Sequence, residues 1–230
     1  MLKVASYNMR KGVGTDRRRN PERVLDVLRE IDADVIALQE ADRRFGSRAA
    51  VLGTHLLDEH SDWRMVPVNL RAASSGWHGN AILIRKDADI VACEAIHLPA
   101  LEPRGAVTCD LSVRGHAVRI VGMHLDLSGL WRRRQAAAIM AHVAAREPRP
   151  TVLMGDLNEW SAGRGCLKDF ARDYDCAPTG PSFHARRPVA RLDRIHASRD
   201  LRILDAGVHA SPAARTASDH LPIWATVESA

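Results

Sequence analysis

Seven short motifs of this chain contain the side chains that could do chemistry, and each motif adjoins an apolar stretch. Their polar residues are mainly carboxylates, amides and histidines. Carboxylate and amide oxygens are ligands that Mg²⁺ prefers, and histidine and aspartate transfer or orient protons. One polar residue at a strand end is usually a turn former or a cap, so the prediction of a reactive site depends on all seven. The motifs are Ser6-Tyr7-Asn8, Leu38-Gln39-Glu40, Gly79-Asn80, Gly122-Met123-His124, Gly155-Asp156-Leu157-Asn158, Arg191-Leu192-Asp193-Arg194-Ile195 and Ser218-Asp219-His220-Leu221-Pro222.

The spacing of these motifs suggests two similar halves. Asn8 and Glu40 are 32 residues apart, and His124 and Asp156 are also 32 residues apart. A third polar residue follows 40 residues later in the first half and 37 residues later in the second, at Asn80 and at Asp193. Polar groups at the carboxyl ends of strands gather in the crevice where α/β proteins bind ligands. Two facing halves would therefore place these side chains in one cleft, with chance spacing as the alternative.

The elements that must position the first half are predicted from hydrophobic periodicity. Residues 2–7 alternate as a β-strand, and residues 34–39 form the next strand. Between them, Asn20 as N-cap and Pro21 as first helical residue begin a helix. The inward face of this helix is formed by Val24, Leu25, Leu28 and Ile31.

The second half repeats this order of strand, helix and strand. We predict strands over residues 117–123 and 151–154, and a helix over 130–146 with Ile139, Met140 and Val143 inward. Helices that cross between apolar strands are typical of α/β proteins with buried sheets. Further short strands are predicted around Ile82, Ile90, Val107, Ile195, Ile203 and Trp224.

Length and composition predict one domain over residues 1–230, with 46% hydrophobic and 27% charged residues. No segment approaches the roughly 20 apolar residues of a membrane helix. The apolar N-terminal run is too short for a signal peptide. Four cysteines lie far apart, which predicts reduced thiols and a cytoplasmic location. They are Cys93, Cys109, Cys166 and Cys176.

The net charge of +5 favours an anionic partner, such as nucleic acid, phospholipid headgroups or phosphorylated small molecules. Of the 33 basic residues only four are lysine, and a genome's nucleotide composition could also cause that bias. The basic clusters at 16–19, 132–134 and 186–187 are interpreted as solvated faces. The cluster at 132–134 begins a helix, where positive charge opposes the macrodipole, so an anionic neighbour is favoured there.

In order and spacing, the seven motifs resemble those of the endonuclease/exonuclease/phosphatase superfamily, over nearly the whole chain. The specific signals are Gly-Asp-Leu-Asn at 155–158 and Ser-Asp-His-Leu-Pro at 218–222, together with the upstream Gln39-Glu40. The resemblance implies a four-layer α/β sandwich, in which two mixed β-sheets pack face to face with helices outside. That architecture agrees with the two halves, which would be related by a pseudo-twofold axis.

The resemblance also implies a metal site. Glu40 would offer a carboxylate to a divalent cation, Asn8 an amide oxygen, and Asp219 a second carboxylate. An all-oxygen site with few protein ligands suits Mg²⁺, with Mn²⁺ as a substitute. Several nucleases of the family carry an acid two positions after the first asparagine, where this chain has Arg10. We therefore expect one metal ion rather than two.

The same resemblance assigns the catalytic residues. Asp156 would orient or deprotonate the attacking water, with Asn158 beside it holding water or phosphate. His220, held by Asp193, would be a cationic donor to the phosphate. His124 would donate a proton or a hydrogen bond near the leaving group, a buried strand histidine being the alternative.

Two further residues are predicted to bind substrate. Asn80 would contact a phosphoryl oxygen, and Arg10 would hold a phosphate with its guanidinium group. A surface arginine near a turn is the alternative for Arg10.

These assignments predict a monomeric Mg²⁺-dependent phosphodiester hydrolase, because two histidines are available to assist an alkoxide leaving group. Nucleic acid, DNA or RNA, is the first substrate class. The alternative is a phosphatase or phosphodiesterase acting on phospholipid headgroups or phosphorylated small molecules, since this fold hosts all of them. A catalytically dead binding module is disfavoured, because the carboxylates and histidines are retained.

Overall fold

The computed structural model describes residues 1–42, 50–68, 76–99 and 104–230. Its strands form two mixed sheets. The first sheet contains, in spatial order, β11 (Leu201–Val208), β12 (Ile223–Ser229), β1 (Leu2–Asn8), β2 (Val35–Gln39), β4 (Ala81–Arg85) and β3 (Trp63–Met65). The second contains β5 (Asp89–Ile96), β6 (Gly105–Val113), β7 (His116–His124), β8 (Thr151–Asp156), β10 (Asp193–Ser198) and β9 (Tyr174–Cys176).

The helices lie outside the sheets, which gives the four layers. They are α1 (Pro21–Ile31), α2 (Thr54–His60), α3 (Gly129–Ala144), α4 (Leu167–Phe170) and α5 (Pro212–Ala217). One apolar cluster joins residues of both sheets, such as Ile82 of β4 and Ile195 of β10. Separate clusters pack α1 and α5 on the first sheet and α3 and α4 on the second. The predicted four-layer α/β sandwich is confirmed.

The two predicted halves are visible in the strand pairing. In the first half, β1 is parallel to β2, and β2 is antiparallel to β4. In the second half, β7 is parallel to β8, and β8 is antiparallel to β10. Helices α1 and α3 form the equivalent crossovers. The carboxyl ends of two parallel strands and the start of an antiparallel third therefore meet at one edge in each sheet.

Helix α1 forms as the sequence predicts. The Asn20 side chain accepts a hydrogen bond of 3.0 Å from the Arg23 backbone N–H, which satisfies one of the free donors at the helix N-terminus. The apolar face formed by Val24, Leu25, Leu28 and Ile31 is buried against the first sheet. The helix ends at Asp32, whose backbone is left-handed.

Helix α3 differs from the prediction in which face it buries. It buries Ile139 as expected, but Met140 and Val143 are only partly buried, whereas Gln135 and Arg132 are buried. The interpretation of Arg132 as part of a solvated face was wrong, because Arg132 Nη2 lies 3.2 Å from Glu159 Oε2. The anionic neighbour favoured at this helix start is thus Glu159. No helix in the described ranges is long and apolar enough to cross a membrane.

The two sheets approach closely at Gly122 of β7. A Cβ atom at this position would lie 3.2 Å from Ala37 Cβ of β2 and 3.5 Å from Ile82 Cγ1 of β4. A larger side chain would push the sheets apart near the edge where the polar motifs meet, so the absence of a side chain here helps to hold the two halves in contact.

Candidate active site

Polar residues from both sheets meet at the Asp156 carboxylate. Asp156 ends β8 and is aligned with His124 on β7 and with Asp193 on β10. From the other sheet, Asn8 Nδ2 donates a hydrogen bond of 2.9 Å to Asp156 Oδ2. This bond links residues 148 positions apart. The cleft predicted from the spacing of the motifs is therefore present.

Both histidines approach the same oxygen of Asp156. Oδ2 lies 3.4 Å from His124 Nε2 and 3.7 Å from His220 Nε2. The other oxygen, Oδ1, accepts a hydrogen bond of 3.0 Å from the Asn158 backbone N–H. Asn158 Nδ2 is bonded to the Leu125 carbonyl at 2.9 Å, so its amide holds the loop after β8 against the end of β7. Asp156 is thus held on both oxygens by buried groups.

His220 is paired with Asp193, as the resemblance implied. His220 Nδ1 donates to Asp193 Oδ2 at 2.9 Å, and the Ser182 hydroxyl donates to the same oxygen. Burial alone would lower the pKa of His220, but the carboxylates of Asp193 and Asp156 outweigh it and raise the pKa to about 10. His220 is therefore an imidazolium at neutral pH.

His124 has the opposite protonation state. Burial lowers the pKa of His124 to about 3, against the attraction of Asp156 and with the help of Arg104. Arg104 Nη1 lies 2.6 Å from His124 Nε2 and 2.9 Å from His124 Nδ1. The neutral imidazole of His124 and the imidazolium of His220 thus flank the Asp156 carboxylate. Because their pKa values are shifted in opposite directions, the two histidines have different catalytic roles.

The two acids predicted as metal ligands lie at the more open part of the site, and each is paired with a cation. Arg10 Nε lies 3.2 Å from Asp219 Oδ2, and the Lys11 ammonium group contacts Glu40 Oε2. Arg10 and Lys11 belong to one 3₁₀ turn that follows β1. Asn8 Oδ1 faces the same turn and accepts a hydrogen bond of 3.1 Å from the Arg10 N–H.

This donor set fits a hard divalent cation. Its three groups supply only carboxylate and amide oxygens, which is the chemistry that Mg²⁺ and Mn²⁺ share. Each carboxylate is paired with a cation of this chain, the Lys11 ammonium on Glu40 and the Arg10 guanidinium on Asp219, and a bound metal ion would replace these contacts. A second cluster, of Asp156, Asp193 and His220, has ligand atoms within 4.8 Å of one another. There the His220 imidazolium itself supplies the positive charge.

Four residues around the site have a left-handed backbone that non-glycine residues rarely adopt. Their φ angles are 45° at Arg10, 56° at Lys11, 53° at Glu40 and 50° at Asn158. Each such conformation costs roughly 1–2 kcal/mol. These four residues are half of the non-glycine residues with positive φ in the described part of the chain, so backbone strain is present at the site but is not confined to it.

Asn80 lies at the same edge, but its side-chain amide donates hydrogen bonds to main-chain carbonyls of this chain. Its Nδ2 donates to the carbonyls of Gly105 at 3.0 Å and Trp77 at 3.2 Å. Asn80 Oδ1 is buried and has no hydrogen-bond partner in the described part of the chain. In this orientation the amide N–H groups fix the start of β4 against β6, and its contact with a phosphoryl oxygen remains a prediction.

Sequence reasoning missed the groups that hold the predicted residues in place. Ser218 Oγ donates to the Asn8 carbonyl at 2.7 Å and accepts from the His220 N–H at 3.3 Å. The Phe183 ring packs on His220 with centroids 4.9 Å apart, and Ser182 bonds Asp193. Ser218 could have been found, because it belongs to the Ser-Asp-His-Leu-Pro motif. Ser182 and Phe183 carry no sequence signal.

Comparison with known proteins identifies the family of this chain. The sequence profile of the Endonuclease/Exonuclease/phosphatase family matches residues 5–220. The uncharacterized protein YbhP of Escherichia coli (strain K12) is 25% identical over a 261-residue alignment covering 98% of this chain and 96% of YbhP.

Two solved structures share the fold. The mannosyl-6-phosphatase of Bacteroides thetaiotaomicron VPI-5482 superposes with a TM-score of 0.77 at 19% identity, covering 99% of this chain and 100% of the other. TDP2 of D. rerio, complexed with single strand DNA product, superposes with a TM-score of 0.75 at 16% identity, covering 99% of each chain. With a profile match over nearly its whole length, the chain belongs to the Endonuclease/Exonuclease/phosphatase family and is a metal-dependent hydrolase of phosphate esters.

Proposed function

We propose that this protein is a Mg²⁺-dependent phosphodiester hydrolase that acts on nucleic acid. The observation that carries the proposal is the arrangement around Asp156, with neutral His124 at 3.4 Å and protonated His220 at 3.7 Å. Hydrolysis of a diester needs an oriented water, a positive donor to the phosphoryl oxygens and a donor to the leaving oxygen. These three side chains match the three requirements.

The roles follow from charge and proton availability. The Asp156 carboxyl group is the hydrogen-bond acceptor that orients the attacking water and receives its proton. His220 donates a hydrogen bond to a phosphoryl oxygen through Nε2, because Nδ1 is engaged by Asp193. His124 is neutral at pH 7, so it assists the leaving oxygen by a hydrogen bond rather than by giving up a cationic proton.

The metal ion, Mg²⁺ or Mn²⁺ as its substitute, would be held by Glu40, Asp219 and the Asn8 amide oxygen. When bound there, a divalent cation acts as a Lewis acid that neutralises charge on the phosphate. Arg10 and Lys11, at the same mouth of the cleft, would contact the phosphates of the substrate. Guanidinium groups suit this role because they offer two parallel donors.

The choice of nucleic acid is supported by charge. The net charge is +5, and the cationic groups of Arg10, Lys11 and Arg104 lie at the site. The related fold of TDP2 holds a single strand DNA product. We further propose that the protein acts as a monomer in the cytoplasm, where its four free cysteines would stay reduced.

A panel of substrates tests the proposal. Labelled single-stranded DNA, RNA, bis-p-nitrophenyl phosphate, p-nitrophenyl phosphate, sphingomyelin and inositol phosphates should be incubated with Mg²⁺ or with EDTA. We expect Mg²⁺-dependent cleavage of the nucleic acids and of the diester. Asp156→Asn should abolish it, whereas Asp175→Asn, at an exposed aspartate on β9, should not. Hydrolysis of monoesters alone, or of sphingomyelin in preference to nucleic acid, would contradict the proposal and support the alternative substrate class.

A further inference from the structure

A second cavity lies on the outer face of the second sheet, away from the space between the sheets. Its volume is about 430 Å³, and it lies between β10, α4 and the segments around Trp160 and Val189. Small-molecule sites in proteins commonly measure about 300–1,000 Å³. The cavity is therefore large enough for more than a bare oxyanion.

Alternation along β10 separates this cavity from the active site. Asp193 bonds His220, and Ile195 belongs to the apolar cluster between the sheets. Arg194 and His196 point to the opposite face, because successive side chains of a strand alternate. The His196 ring packs against Phe170 of α4, with centroids 5.4 Å apart. One strand thus serves the catalytic cleft with one face and the cavity with the other.

The polar lining of the cavity is basic. Arg191, Arg194 and His196 line it, and no acidic side chain of the described residues does. Arg194 is only 4% exposed, and its Nη1 donates to the carbonyl of Asp193 at 3.2 Å rather than to a carboxylate. Burying a guanidinium without a negative partner costs several kcal/mol. An anion in the cavity would offset that cost.

Unused hydrogen-bonding atoms point to the same conclusion. His196 is 2% exposed, and neither ring nitrogen has a hydrogen-bond partner in the described part of the chain. The Nε atom of Arg191 is buried and also unbonded there. Burial, together with the charges of Arg194 and Arg191, lowers the pKa of His196 to about 4, so its ring is neutral. Buried polar atoms without partners are rare in proteins, and a ligand with oxygen atoms would satisfy them.

The opposite side of the cavity is apolar. Trp160 is 64% exposed and Val189 is 70% exposed, and both line the cavity together with Leu167. Large apolar side chains left in water beside a cavity indicate a ligand surface more often than scattered single residues do. The indole ring of Trp160 offers a flat face on which an aromatic ring can stack.

We propose that this cavity binds a nucleoside monophosphate, with the phosphate held by Arg191 and Arg194 and the base against Trp160. The guanidinium groups supply donors for the phosphate oxygens, and His196 adds one further hydrogen bond. The size of the cavity accommodates the sugar and base that a bare phosphate lacks. This cavity adjoins the catalytic cleft at one edge, because the Trp160 ring packs on Phe183 with centroids 6.1 Å apart and Phe183 packs on His220. Nucleotide binding there does not depend on the substrate proposed for that cleft.

Isothermal titration calorimetry in EDTA, with adenosine 5′-monophosphate as probe, tests the proposal. We expect one bound nucleotide, with inorganic phosphate and adenosine each binding roughly tenfold more weakly or worse. Arg191→Met and Trp160→Leu should each weaken nucleotide binding by roughly tenfold. Arg187→Met, at an exposed arginine of the same segment outside the cavity, should leave it unchanged. Lys11→Met, which removes a cation of the catalytic cleft on the side of the first sheet, should also leave it unchanged.

Each departure from these results would overturn the proposal. Loss of nucleotide binding in Lys11→Met would assign the binding to the catalytic cleft. Equal binding of inorganic phosphate and nucleotide would remove the role of Trp160, and equal binding of adenosine and nucleotide would remove the role of the arginines. If Arg194→Met is unfolded by circular dichroism, Arg191→Met and Trp160→Leu still decide the outcome, because both side chains lie near the surface of the cavity.

Discussion

Replacing Asp193 with asparagine keeps the shape of the side chain at His220 and removes one negative charge. The charge lost lies 2.9 Å from His220 Nδ1 and is itself fully buried. Raising the pKa of His220 from 6.5 to about 10 corresponds to roughly 5 kcal/mol in favour of the imidazolium. His124, near the same Asp156 but without an equivalent of Asp193, has a pKa of about 3. We therefore expect the pKa of His220 in Asp193→Asn to fall below 7.

The consequences can be measured in two ways. The titration of His220 is followed by NMR of its imidazole Cε1–H signal, and activity is followed as kcat/KM at pH 7. Loss of the positive donor should reduce kcat/KM by roughly 10²- to 10⁴-fold, though by less than His220→Ala. Asp175→Asn is the matched control, in which the pKa of His220 and kcat/KM should equal those of the wild-type protein. A His220 signal that still titrates above pH 8 in Asp193→Asn would refute this account of its charge.

Stability should follow the same shift with a defined sign. The folded protein holds the His220 proton more tightly than the unfolded chain, whose pKa is near 6.5. The stabilisation from this proton is therefore fully present below pH 6.5 and is lost as the pH rises towards about 10. The free energy of unfolding of the wild-type protein should fall across this window. That of Asp193→Asn should change less.

Four sets of substitutions test the remaining assignments. Glu40→Gln should weaken Mg²⁺ or Mn²⁺ binding in calorimetry by roughly tenfold or more while leaving the circular dichroism spectrum native. Asp156→Asn and His220→Ala should each cost roughly 10²- to 10⁴-fold in kcat, and the double variant should cost little more than either, because the residues act as one unit. Arg10→Ala should raise KM with little change in kcat. Arg10→Asp should raise metal affinity, because it frees Asp219 and adds an acid. Two tightly bound ions in the wild-type protein, or a native KM in Arg10→Ala, would contradict this role of Arg10. Gly122→Val should destabilise the fold by about 1–3 kcal/mol in urea unfolding, since its side chain would meet β2 and β4.

Gly53 provides the control for the last of these. A Cβ atom at Gly53 would meet nothing within 4 Å, so Gly53→Ala should change the stability very little. A native stability in Gly122→Val would mean that the sheets can separate at this point without cost.

Much of the fold was predictable because its signals are local. The alternation that forms β1, the N-cap at Asn20 and the apolar face of α1 each involve residues close together in the chain. The repeated spacing of 32 residues reflects a crossover unit that occurs once in each sheet. The face of α3 was less predictable, because its alanine-rich sequence gives only a weak apolar stripe and the buried pair of Arg132 and Glu159 joins distant segments.

The sequence by itself determined which residues have the chemistry of the site. The motifs place a carboxylate, an amide or a histidine at the ends of strands, and the succession of strands and helices along the chain follows from short-range patterns. Only the tertiary structure decided how these groups act together. The bond between Asn8 and Asp156 spans 148 positions, and the opposite protonation of His124 and His220 depends on burial and on neighbours from other strands. The pairs of Arg10 with Asp219 and Lys11 with Glu40, and the basic cavity behind β10, arise likewise from packing between distant segments, which no local pattern encodes.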